Sequence, residues 1–125
     1  MQYLMLLANA PDAWEDSNAD PDDGVYDDWA LYTRALHEAG VLVAGAGLHG
    51  PESATSVRVR DGKCVLTDGP FADTKEHLVG FYLLELPHLD AALDWAAKVP
   101  NVRTGTVEVR SVPPETAVEV ALRDA

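Results

Sequence analysis

The sequence predicts an α+β domain on the split βαβ plan. Strand-like and helix-like apolar segments alternate as strand, helix, strand twice along the chain, and an Asp-Gly turn between two alternating runs sets a β-hairpin between the two units. A length of 125 residues bounds the answer, since it holds one hydrophobic core with little chain to spare. A single domain over residues 1–125 is therefore expected.

Gln2 to Ala8 is a near-continuous apolar run ending at Asn9 and Pro11, as in a central strand covered on both faces. From about 11 to 24 the chain carries Asp12, Glu15, Asp16, Asp20, Asp22 and Asp23 with no basic residue, the composition of a solvated acidic loop. Val25, Trp29, Tyr32 and Leu36 recur at helical spacing, and Gly40 supplies a stop. Val41 to Leu48 is β-branched and small, a second buried strand reached by a right-handed parallel crossover. Around Asp61-Gly62, a two-residue turn pairs Val59 with Cys64 and Val57 with Leu66 and points that apolar side at the core. Cys64, with no second cysteine to pair with, reads as a small core residue. Val79 to Leu86 is a further strand. Leu89, Ala92, Leu93 and Ala96 begin a second helix that runs as far as Pro100, and Thr104 to Val112 closes the sheet. Alternation across 117–122 predicts a C-terminal edge strand.

Assembled, these elements make a ferredoxin-like antiparallel sheet with both helices on one face and an inserted hairpin. The other face is left bare, and burying it against a second copy predicts a homodimer. A formal charge of -12 repels phosphate backbones and anionic headgroups, so neither nucleic acid nor a membrane surface is expected as a partner, whereas a small-molecule ligand fits. No stretch reaches the roughly 18 apolar residues of a membrane span, and Met1 to Ala8 lacks a basic leader region, which predicts a cytoplasmic protein.

Asp68-Gly69-Pro70-Phe71-Ala72-Asp73-Thr74-Lys75-Glu76, preceded by Val65-Leu66-Thr67 and followed by Gly80-Phe81-Tyr82, is the most distinctive stretch. It resembles the signature of the DGPF-domain proteins, a branch of the YCII-related family. The likeness extends to Ala39-Gly40-Val41-Leu42, Thr55-Ser56-Val57-Arg58, Leu93-Asp94-Trp95-Ala96 and Val107-Glu108-Val109-Arg110. The resemblance implies a dimeric α+β barrel of ferredoxin-like plan and a family whose activity is largely unassigned. Related proteins are often encoded beside or fused to sigma factors of the extracytoplasmic-function type, which implies an association with transcriptional regulation. YCII-type relatives have been thought enzymatic through a first-helix histidine paired with an acidic residue. Here Asp28-Trp29 stands near that place with no histidine before His37, and Asp73 stands where the resemblance leads one to expect glutamate.

Candidate functional residues gather at strand ends. His49, in Gly47-Leu48-His49-Gly50-Pro51, can reach a cleft as acid or base, and Asp68 can transfer a proton or cap its own turn, where Gly69 takes positive φ and Pro70 presets the bend. These two are the catalytic candidates. Lys75, Glu76 and Tyr82 are the ligand-binding candidates; Tyr82 shares a strand face with Gly80, whose missing side chain leaves room, while Lys75 and Glu76 could equally form a surface pair. Trp29 and Tyr32 read first as a core stripe. No metal is expected, because His37, His77 and His88 form no ligand spacing and the acidic loop lacks EF-hand register. No cofactor is expected either, since dinucleotide, P-loop and nucleophile-elbow motifs are missing. Two function classes follow: a small-molecule enzyme using acid–base chemistry near the Asp-Gly-Pro-Phe loop, or a noncatalytic ligand-sensing or partner-binding module linked to regulation.

Overall fold

The computed structural model describes residues 1–10, 25–70, 75–114 and 117–123. The acidic segment 11–24 and residues 71–74 of the Asp-Gly-Pro-Phe stretch lie outside the described residues. In chain order come β1 (Gln2–Asn9), α1 (Val25–Glu38), β2 (Leu42–Gly47), a 3-10 turn at Pro51–Ser53, β3 (Thr55–Arg60) and β4 (Lys63–Asp68). β5 (His77–Glu85), α2 (Leu89–Ala96), β6 (Thr106–Val112) and α3 (Ala117–Arg123) follow. Four strands form one sheet in the order β2-β5-β1-β6 with every neighbouring pair antiparallel, so β1 and β2 run parallel with β5 between them. This is the ferredoxin-like order that the segment pattern predicts.

Burial along β1 alternates: Tyr3, Met5, Leu7 and Asn9 are buried, and the residues between them are half-buried. The strand is central, as its apolar run implies, but among the described residues only its odd-numbered face is fully closed over. Tyr32 and Leu36 of α1 and Ala92 and Ala96 of α2 join Tyr82, Leu84, Leu86 and Val99 on that face, which places both helices on one side of the sheet. α1 stops where Gly40 takes φ +73, the Gly40 N–H donating to His37 and the Val41 N–H to Leu36, the paired bonds of a Schellman ending. α2 starts at His88, whose Nδ1 accepts the Ala91 N–H at 3.2 Å, and it ends at Ala96, one turn before Pro100.

The hairpin turns as its sequence predicts, with Asp61 and Gly62 both at positive φ and Val59 opposite Cys64, Val57 opposite Leu66. Its apolar side is not core, however. β3 and β4 pair only with each other, and among the described residues nothing closes over that side: Val57, Val59 and Leu66 are each more than 60% exposed, and Cys64 is exposed as well. The C-terminal segment differs in kind, being the helix α3 rather than an edge strand. Three alternating apolar residues are too few to fix a period. Ala, Glu, Leu and Arg favour helix, with Glu119 in the first turn and Arg123 in the last. Among the described residues no helix is long and apolar enough to cross a membrane.

Candidate functional site

Gly45-Ala46-Gly47 on β2 puts two glycines on one face of a strand, because side chains alternate. The register sets Gly45 beside Tyr82 and Gly47 beside Gly80, and β1 brings Leu7 against Gly80 from the other side. Three residues without side chains therefore floor the helix-covered face under α1. The result is a cavity of about 350 Å³, roofed by Trp29 and Thr33 of α1 and walled by Leu7, Leu42, Leu48 and Val79. The glycines are required where the floor is tight. A Cβ on Gly45 would stand 2.7 Å from the Tyr82 ring, and one on Gly80 would stand 2.8 Å from the Ala46 carbonyl oxygen.

Three polar side chains, Asn9, Thr33 and Tyr82, interrupt this apolar lining. The Thr33 hydroxyl donates to the Trp29 carbonyl at 2.8 Å and lies 2.7 Å from the Tyr82 hydroxyl. Asn9 is buried, and its Oδ1 accepts from Asn101 Nδ2 at 2.8 Å; the same nitrogen donates to the Ala8 carbonyl at 3.3 Å. Gly105 makes this pairing possible, since a side chain there would run into Asn9 Oδ1 and the Ala8 carbonyl. Behind Tyr82, Tyr32 packs edge-on at 5.5 Å and donates to the Trp95 carbonyl at 2.8 Å. Burial pushes the Tyr82 phenol above its ordinary value, against a smaller downward pull from Thr33. Tyr32 is raised further, by burial first and then by its neighbour Tyr82. Both phenols hold their protons at neutral pH.

Of the residues nominated from sequence, Tyr82 lines this cavity. His49 is exposed one residue beyond Leu48, whose N–H bonds the Val79 carbonyl, so it stands past the Asn9 end of the cavity. Asp68 is exposed at the end of β4; the turn after it is held by the Gly69 N–H to Ala54 and by Ser56 Oγ to the Gly69 carbonyl, with Gly69 at φ +99. Lys75 is exposed before β5. Glu76 lies on the opposite sheet face, at a shallow depression shared with Leu6, Ala8 and Leu78. The structure therefore does not gather the five into one lining. Sequence reasoning missed Asn9, taken as a strand terminator, and Thr33, which no motif marks. It also missed His77, which the register sets opposite Asn9. The Gly45-Ala46-Gly47 alternation was the available signal. Among the described residues no group of three or more His, Cys, Asp or Glu side chains is placed to hold a metal ion.

The model of the YCII-related domain matches residues 1–116. An uncharacterized protein of Rhizobium meliloti (strain 1021) is 38% identical over 112 residues, 88% of this chain and 90% of that protein. Among solved structures, this chain is similar to 5-chloro-2-hydroxyhydroquinone dehydrochlorinase of Burkholderia phenoliruptrix AC1100 in complex with 2,5-dihydroxybenzoquinone. The TM-score is 0.55 with 15% sequence identity, covering 90% of this chain and 93% of that one, a likeness of fold. With residues 1–116 of its 125 matched by the family's model, and with a relative 38% identical over most of both chains, this chain belongs to the YCII-related family.

Proposed function

We propose that this protein is a small-molecule enzyme whose substrate is an oxygenated ring compound held in the cavity between α1 and the β2-β5-β1 floor. The cavity itself carries the reading: it is concave, mostly apolar, of a size for one ring and its substituents, and it has a few converging polar groups. The similar dehydrochlorinase, whose structure holds 2,5-dihydroxybenzoquinone, is compatible with a ligand of this class. Tyr82 and Asn9 orient the ring. Proton transfer falls to the histidines at the Asn9 end, His49 following Leu48 and His77 opposite Asn9, since an imidazole offers one nitrogen to donate a proton and another to accept one. A noncatalytic ligand sensor is the second reading, favoured by one observation: Tyr82 is the one titratable side chain in the described lining. Calorimetric binding of a panel of hydroxylated benzenes and quinones, with turnover followed by ultraviolet-visible spectra, separates the two. Turnover lost in His49→Ala or His77→Ala with binding retained supports the enzyme. Binding without turnover by the parent protein supports the sensor, and no binding by any ring compound removes both.

We also infer that two copies pair through the uncovered sheet face. The register brings Leu4 and Leu83, and Leu6 and Phe81, side by side on that face, where all four are only half-buried within one chain. Two such faces packed about 10 Å apart would close them off.

A further inference from the structure

We propose that the cavity selects rings carrying both a protonated hydroxyl and a carbonyl or similar acceptor, and that it takes them in the uncharged form. This rests on the cavity being the ligand site, and it follows from the direction of two hydrogen-bond relays, each anchored on a backbone carbonyl, which can only accept. In the first relay, the Thr33 hydroxyl has one proton and gives it to the Trp29 carbonyl. Both of Thr33's bonds can then be made only if the Tyr82 hydroxyl donates to Thr33. The side of Tyr82 Oη left to the cavity is a lone pair, an acceptor.

In the second relay, the Ala8 carbonyl fixes which end of the Asn101 amide is nitrogen. That nitrogen also faces Asn9, so the Asn9 atom it meets is the oxygen, Oδ1. The group the Asn9 side chain has to offer a ligand is its NH2, a donor. Met5 is the β1 partner of Tyr82, and Asn9 lies four residues further along, so the two groups stand toward opposite ends of the cavity. A ligand must therefore donate at the Tyr82 end and accept at the Asn9 end. An ionised hydroxyl would set a negative oxygen against the Tyr82 lone pair in an apolar setting, where unpaired charge is disfavoured.

Three commercial probes test this on the intact protein by calorimetry: 4-hydroxybenzaldehyde, which donates and accepts; 4-methoxybenzaldehyde, which only accepts; and 4-methylphenol, which lacks the carbonyl. 4-Hydroxybenzaldehyde should bind tightest, each truncated probe losing about tenfold. Its affinity should fall as pH rises through its own phenol titration, following the neutral fraction. Thr33→Val removes the acceptor for the Tyr82 proton and frees that hydroxyl to donate, so the preference for 4-hydroxybenzaldehyde over the methyl ether should collapse. Equal binding of the hydroxy and methoxy probes by the parent protein, or tighter binding above the phenol titration, would overturn the inference and leave the ring-binding reading standing. No binding by any of the three, at concentrations where the wider ring panel also fails, would remove the ring-binding reading itself.

Discussion

Tyr82 joins the core to the cavity, and its neighbours set what its loss should do. Tyr82→Phe removes the hydroxyl that Thr33 accepts from while leaving the ring against Tyr32, so stability should drop by only about 1 kcal/mol in chemical denaturation. Loss of several times that amount would mean that the ring packing, not the hydroxyl, had been disturbed. Leu36, fully buried, has no such latitude, and Leu36→Ala should cost about 3 kcal/mol by the same measurement. The two buried phenols also predict a pH response. Each has a folded-state pKa above its unfolded value, so below about pH 10 the unfolded chain keeps those protons as well and the groups contribute no pH dependence. Above it the unfolded chain releases protons that the folded chain holds, and stability falls. Melting temperatures should be flat across mildly basic pH and decline beyond about pH 10, and a rise there would contradict the burial of Tyr32 and Tyr82.

Among the elements, α1 shows how a stop is written: Gly40 at φ +73 is strained for any residue with a Cβ, and Gly40→Ala should cost about 1 kcal/mol. The hairpin shows the limits of pattern. Its turn and pairing were legible because both are local, fixed by Asp61-Gly62 and by alternation, but whether its apolar side meets a core depends on what the chain places beneath it. Likewise, the order of sheet strands followed from two strand-helix-strand units, whereas α3 escaped because seven residues cannot separate a period of two from one of 3.6. At the site, Tyr82 was legible beside Gly80. Asn9 and Thr33 were not, since their role is made by register and by a helix crossing over the strands. The hairpin's exposure has a measurable counterpart: its ladder hydrogen bonds sit in solvent, so amides of β3 and β4 should exchange with deuterium far faster than those of β1, and equal protection would require a cover that the described residues do not supply.

For the molecule as a whole, apolar surface among the described residues lies on the exposed hairpin, on α3 at Val118, Val120 and Leu122, and on the half-buried sheet face of Leu4, Leu6, Phe81 and Leu83, and the pairing inferred above concerns the last. Light scattering should give twice the chain mass at micromolar concentration, and Leu6→Asp, which sets a carboxylate in the middle of that face, should return it to the monomer. A parent protein of single-chain mass would end that inference. The glycine floor has a consequence of another kind, for how the family can diversify. Gly45 and Gly80 are locked by the atoms next to them, yet a Cβ built on Gly47 meets nothing within 4 Å. A methyl group could be added there without meeting a neighbouring atom, and it would take room from the ligand proposed above. Position 47 is thus a place where single nucleotide changes could shift the size of accepted ligand while the scaffold stays as it is, a low-resistance route for new specificities to arise.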